Sequence, residues 1–344
     1  MNKVTSPASA LSQYDLGGGN FHAELFGKGL IHSTYSVMDG DGSIAYILQE
    51  VNHHVFKKPT DISGNLTLMH RFIREHAPEY FLPLPVPTID GASYAMVGDS
   101  YYRLTPYVKD SHAIDTCTDP DQAYEAALQF GRFTSVFNGF RTEELRETIP
   151  GFHDLSFRWQ QFLEAREKGD RSRIHEAYRE IGTLSDREDI VDTFQDIRKD
   201  DDFIMRVTHH DTKISNVLFG PSGKGICVID LDTVMPGYFI SDLGDMYRTY
   251  LSPANEEERD RSRISVRSSF KEAILSGYLH HMEAILTVRE KQHLEYAGAF
   301  MVYMQALRFL TDHLNNDIYY GAAYPGQNLE RARNQIRLLE LLGA

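Results

Sequence analysis

Asp211 and Asn216 stand five residues apart in the run Val207-Thr208-His209-His210-Asp211-Thr212-Lys213-Ile214-Ser215-Asn216-Val217-Leu218-Phe219 of this 344-residue chain. A turn over Gly220-Pro221-Ser222-Gly223-Lys224-Gly225 follows, and then Ile226-Cys227-Val228-Ile229-Asp230. Two apolar runs split by a Gly/Pro turn predict a β-hairpin, and a hairpin returns its end beside its start. Asp211, Asn216 and Asp230 are therefore expected to converge, although 19 residues separate the two Asp. Phosphoryl transfer from a nucleotide needs that set. One carboxylate orients the attacking hydroxyl and accepts its proton, while a carboxamide and a second carboxylate, both hard oxygen ligands, hold Mg²⁺ against the phosphates. Asn supplies a ligand without adding negative charge beside a polyanion.

The elements that must position these groups change character near Val108. Before it, short alternating runs predict strands at Phe21–Leu25, Ile31–Val37, Ser43–Val51, Ser93–Val97 and Tyr101–Val108. Asp39-Gly40-Asp41-Gly42 is a hairpin signal. Thr67 to Glu75 reads as the one helix of this part, with Pro83, Pro85 and Pro87 beyond it. After Val108 the period lengthens. Asp119-Pro120-Asp121-Gln122 reads as a capping box with Pro at the first helical position. Ala126, Phe130, Phe133 and Phe137 then form one helical stripe, and Ile190, Val191, Phe194 and Ile197 form another. Tyr296–Leu314 is apolar nearly all round, as in a buried helix. Leu329, Ala332, Ile336 and Leu339 mark a last helix for Gly343 to cap. The expected fold class is α+β, with a β-rich lobe over 1–108 and a mainly helical lobe over 109–344.

Composition narrows the partners. The chain is 42% hydrophobic and 24% charged, an ordinary globular balance, and Lys+Arg 35 against Asp+Glu 49 leaves −14. An acidic surface argues against nucleic acid and against an anionic membrane, though not against a nucleotide, which needs only a few local cations. Cys117 and Cys227 cannot make a disulfide framework, and the sequence holds no CxxC for zinc. Met1 to Asp15 lacks an apolar signal core, and no run reaches about 18 apolar residues. The expectation is a cytoplasmic protein.

H-x-D-x-x-x-x-N followed by an apolar strand ending in Ile-Asp resembles the protein-kinase-like fold, in its aminoglycoside phosphotransferase and choline kinase branch. Several stretches are similar to the N-acetylhexosamine 1-kinases within that branch: His210 to Phe219, Val228 to Gly237, Asp242-Leu243-Gly244-Asp245, Tyr46 to Asn52 with Val55-Phe56-Lys57, and Ala306 to Asp312. The likeness spans nearly the whole chain. It implies a bilobal fold, a small antiparallel N-lobe sheet beside a larger helical C-lobe, with ATP and Mg²⁺ between them. Asp211 would be the base, Asn216 and Asp230 the Mg²⁺ ligands, and His209 a brace for the loop backbone. His210 replaces the Gly common in aminoglycoside kinases. Gly27-Lys28-Gly29 would be the flap over the phosphates, and Tyr107 and Val108 would border the adenine where the lobes join. The family uses the matching Arg308 for sugar contact; its alternative is an ion pair with Asp312. Tyr319 and His32 would also face the acceptor, with Tyr320 a rival to Tyr319. Asp232 and Asp245 are open between phosphate or metal support and capping.

Gln49 is the departure. Most kinases carry Lys on this strand, pairing the α- and β-phosphates, whereas Gln49 brings no charge. Either the chain is a pseudokinase, or phosphate charge is neutralised elsewhere. The resemblance favours the second, and Lys213, otherwise a solvated surface lysine, is placed to meet the γ-phosphate. The implied reaction moves the γ-phosphoryl of ATP to the anomeric C1 hydroxyl of N-acetylglucosamine or N-acetylgalactosamine. The alternative acceptor is another small hydroxyl compound: an aminoglycoside, choline or homoserine.

Overall fold

Period-two alternation builds the first sheet of the computed structural model, which describes residues 6–27, 32–52 and 55–343. The strands are β1 (His22–Leu25), β2 (Ser33–Met38), β3 (Ile44–Val51), β4 (Ala95–Val97) and β5 (Ser100–Pro106), antiparallel in the order β1-β2-β3-β5-β4. Between β2 and β3, Asp39 Oδ1 accepts from the backbone N–H groups of Asp41 and Ser43 at 3.0 Å, and Gly42 takes φ +80°. That left-handed backbone closes the predicted hairpin. One face of the sheet buries Val37, Leu48, Tyr102 and Leu104 against Ala10 and Leu11 of a short helix, α1 (Pro7–Leu11). The opposite face of β3 turns Ile47 and Gln49 into the cleft between the lobes.

Helix α2 runs Pro59–His76, eight residues earlier than the apolar pattern from Thr67 suggests. Pro59 suits a first turn, and Ile62, Leu66, Met69 and Ile73 then share one buried face on the larger core. Helix α3 (Pro120–Val136) begins as expected at Asp119, but no capping box forms. The Asp119 carboxylate accepts from Asp121 N–H at 2.8 Å, and Gln122 Oε1 turns outward to Thr118 N–H at 3.0 Å.

The larger lobe continues with α4 (Leu155–Lys168), α5 (Arg171–Glu176), α6 (Tyr178–Ser185), α7 (Asp189–Ile197), α8 (Phe239–Tyr250), α9 (Ser268–Met282), α10 (Val288–Lys291), α11 (Tyr296–Leu314) and α12 (Gln327–Leu341). Helix α11 is buried on almost every side, packed by α4, α8 and α12. Gly343, at φ +79°, follows α12 as a left-handed terminator. Two small antiparallel sheets carry the loops of interest: β6 (His112–Ala113) with β8 (Val217–Phe219) and β9 (Gly225–Val228), and β7 (Arg206–Thr208) with β10 (Met235–Gly237). The architecture is the expected α+β pair of lobes. Among the described residues no helix is long and apolar enough to cross a membrane.

Candidate active site

The hairpin brings its ends together. Val217 pairs with Val228, and Ile229 N–H donates to Asn216 O at 2.8 Å, which sets Asp230 beside the start of β8. Asn216 Nδ2 donates to Asp211 O at 2.9 Å and to Asp211 Oδ2 at 3.0 Å. Both amide protons are thereby spent on Asp211, and no described donor engages Asn216 Oδ1. Asp211, Asn216 and Asp230 form one cluster.

The loop that holds Asp211 is gripped from below by α8. Asp242 accepts from the N–H groups of His209 (3.0 Å) and His210 (2.8 Å), and Asp245 accepts from Thr212 N–H at 2.8 Å. Tyr250 Oη donates to Thr212 O. His209 is a brace: its Nε2 donates to Ile229 O at 3.0 Å, and its ring lies edge-on to Phe130 and Phe133. Burial pushes its pKa down to about 4, so it stays neutral. His210 has φ +65°, a left-handed conformation that favours glycine.

Charge around the cluster is uneven. Burial would raise the Asp211 carboxyl, but Lys213, whose Nζ lies 2.8 Å from Oδ2, draws it below the usual range. Asp230 goes the other way. Burial and then the neighbouring Asp232 and Asp211 push it up to about 6. Asp232 is held well down despite burial by its ion pair with Arg103 and its bond from His32.

A cavity of about 380 Å³ opens over this cluster. Phe26, Ile47, Leu218 and Ile229 give it apolar walls, Tyr107 and Val108 border it, and Gln49, Arg103, Asn216 and Asp230 are among its polar groups. Gly27, at φ +70°, directly follows Phe26 at the end of β1. Gly29 and Lys28 lie outside the described residues. His32 is held between two elements of the protein: Nδ1 accepts from Asn52 N–H at 3.0 Å and Nε2 donates to Asp232 Oδ2 at 2.7 Å. Both ring nitrogens are committed to the protein.

Arg308 forms no ion pair with Asp312, because Asp312 accepts from the N–H groups of Tyr319 (2.7 Å) and Tyr320 (2.9 Å) instead. Its guanidinium donates to Gln305 Oε1 at 3.1 Å and lies 5.0 Å from the Phe152 ring, 5.8 Å from Tyr319 and 5.5 Å from Tyr320. Both tyrosines flank it. Phe152 and His153, which no spacing in the sequence marks, complete this wall. Phe152 stacks on His153 at 4.4 Å, and His153 Nδ1 meets His210 Nδ1 at 3.1 Å. His210 Nε2 faces Pro236 O at 3.4 Å, so His153 is the donor of that pair. Burial holds His210 at about 4 and His153 well below its ordinary value, the latter helped by His210, Arg308, Arg158 and Arg248.

A sequence model described as the phosphotransferase enzyme family, of aminoglycoside phosphotransferase type, matches residues 22–277. Among solved structures, the chain is similar to an aminoglycoside phosphotransferase from Alicyclobacillus acidocaldarius subsp. acidocaldarius, with 17% identity, TM-score 0.63, and coverage of 98% of this chain and 94% of that one. A microcompartment-associated aminopropanol kinase gives 17% identity, TM-score 0.64, and 97% and 95% coverage. A spectinomycin phosphotransferase in complex with ADP and spectinomycin gives 14% identity, TM-score 0.55, and 97% and 95% coverage. The chain belongs to the phosphotransferase enzyme family.

Proposed function

We propose that the protein transfers the γ-phosphoryl group of ATP to the anomeric C1 hydroxyl of an N-acetylhexosamine, N-acetylglucosamine or N-acetylgalactosamine. The observation that carries the acceptor class is the wall beyond Asp211. Arg308 sits there among Phe152, Tyr319 and Tyr320, next to two neutral histidines. Among the described residues no carboxylate pairs with Arg308, and the charged groups acting on His153 are cations. A cationic acceptor such as choline or an aminoglycoside would meet repulsion from Arg308 and Arg158. A neutral ring rich in hydroxyls finds hydrogen-bond donors and aromatic faces.

Asp211 has the acceptor-only chemistry of an ionised carboxylate, suited to orienting the C1 hydroxyl and receiving its proton. Asn216 Oδ1 and the Asp230 carboxylate would hold Mg²⁺. The fit is electrostatic as well as chemical: burial, and then the neighbouring Asp232 and Asp211, raise Asp230, and a divalent cation would offset that penalty on its ionised form. When bound, the cation supplies charge neutralisation for the phosphates. Catalysis is then mostly positioning and preorganised charge. Tyr107 and Val108, at the end of the sheet, border the space for adenine; Gly27 would begin the flap.

The test is ADP release with Mg-ATP over a panel of free sugars, amino alcohols and aminoglycosides, with phosphorus NMR of any product. N-acetylglucosamine or N-acetylgalactosamine should yield the 1-phosphate, and the methyl glycoside should not react. A 6-phosphate, a reactive methyl glycoside, or turnover of choline or an aminoglycoside without any hexosamine overturns the sugar 1-kinase reading.

A further inference from the structure

Strand β3 presents Gln49 where a phosphate-binding lysine is usual in kinases, so the positive charge must come from another element. Register decides which. In the antiparallel β3–β5 pair, Gln49 stands directly opposite Arg103, so both side chains leave the sheet on the same face. That face is the cleft, and Arg103 lines it together with Asn216 and Asp230. Among the described residues lining the cavity, Arg103 is the only Lys or Arg. Its side chain is nearly fully buried, at 7% exposure.

The guanidinium is fixed from two sides. Arg103 Nη2 donates to Gln49 Oε1 at 2.8 Å, and Nη1 is ion-paired with Asp232. These two bonds use one proton on each Nη. The Nε proton and the second proton on each Nη have no described acceptor, and an arginine fork with free donors matches phosphate oxygens. Lys213 is less suited to the same task. It is 40% exposed, and its ammonium already pairs with Asp211 at 2.8 Å. Other buried or partly buried arginines are taken up by carboxylates: Arg206 by Glu290, Arg248 by Asp245 and Glu256.

We propose that Arg103 supplies from β5 the charge that a β3 lysine supplies in other kinases, binding the nucleotide phosphates while Gln49 and Asp232 orient its guanidinium. Gln49 is then a positioning residue rather than a lost catalytic one, and Asp232 a counter-ion rather than a metal ligand. The inference rests on the cavity being the nucleotide site.

Calorimetric titration of ADP, ATP and adenosine tests it in the wild-type protein, Arg103→Gln and Arg103→Lys. Adenosine carries no phosphate, so it reports the base pocket and the folded fraction. Arg103→Gln should weaken ADP and ATP by about 10- to 100-fold, the scale of a charge-assisted hydrogen bond, and leave adenosine within about 3-fold. Arg103→Lys keeps the charge without the fork and should fall between the two. Adding Gln49→Arg to Arg103→Gln returns a guanidinium from the opposite strand and should recover part of the ADP affinity. Unchanged ADP binding in Arg103→Gln overturns the proposal. If that variant does not fold, unchanged ADP binding in Arg103→Lys does the same. A wild-type protein that binds neither ADP nor adenosine overturns the nucleotide-site reading itself, and the Arg103 assignment with it.

Discussion

Lys213 Nζ lies 2.8 Å from Asp211 Oδ2, so the carboxylate that would serve as base carries its own counter-ion. Burial works to raise the Asp211 carboxyl and Lys213 more than offsets it. Removing the cation in Lys213→Ala raises the carboxyl toward and above its ordinary range. As the proposed base Asp211 would act ionised, so the acid limb of the kcat–pH profile should move to higher pH. A limb that stays in place separates Lys213 from the base.

Asp211→Asn keeps the side-chain shape and an oxygen near Asn216 and Lys213, but not the proton acceptor. The fold and ADP affinity should persist, while kcat falls on the order of 10²-fold or more. Steady-state kinetics alongside ADP titration separate the two effects. Near wild-type turnover would remove Asp211 from the base role.

Asp230 should make stability depend on pH in a direction that can be worked out. Its folded pKa, about 6, lies above the roughly 4 of an unfolded carboxyl, so the native state binds the proton more tightly. That contribution to stability is complete below about pH 4 and is lost as pH rises through about 6. Asp230→Asn removes the buried charge, and Asn tolerates the φ of +61° found here. The variant should be more stable than wild type at pH 8, by on the order of 2 kcal/mol, with the gap closing toward pH 4. Turnover should be lost. Thermal melts across that range check the sign, and a Tm lower than wild type at pH 8 would contradict it.

Gly244 lies between the two carboxylates of α8 that grip the Asp211 loop. A Cβ built there would stand 2.2 Å from the Ala297 carbonyl oxygen and 2.8 Å from Met301 Cβ, so α8 and α11 would have to shift apart at this point. Gly244→Ala should lower stability by roughly 1–3 kcal/mol or more, the range for overpacking. It should also depress kcat, because Asp242 and Asp245 shift with the helix. Tm and kcat measured together test the link. A stable variant with full activity would show that the helices can part without moving the loop.

Removing Arg308 should raise KM for the sugar and lower kcat together, with ATP affinity unchanged. Misplacing a hydroxyl by about 1 Å is enough to lower the rate on the order of 10²-fold. Arg308→Ala kinetics against N-acetylglucosamine provide the measurement. A loss confined to the KM for ATP would place this arginine on the nucleotide side.

The convergence of Asp211, Asn216 and Asp230 is legible in the sequence because its geometry is local. Asp211, Asn216 and Asp230 are joined by a turn and a short hairpin, and two apolar strands with a Gly/Pro break specify that without help from the rest of the chain. The same holds for the alternation of β3 and for α11, whose apolar circumference announces burial before any partner is known. Asp119 shows where a local pattern stops short: the residue types of a capping box are present, yet Gln122 bonds Thr118 instead. What needed the tertiary structure are contacts between distant segments. Arg103 meets Gln49 across 54 residues through the β3–β5 register, His153 meets His210 across 57, and His32 meets Asp232 across 200. A period of two or 3.6 tells which face of an element is covered, but not which residue of another element lies opposite. That is settled by strand register and by packing of the two lobes. The neutral Gln49 is therefore visible from sequence alone, while the guanidinium beside it is not.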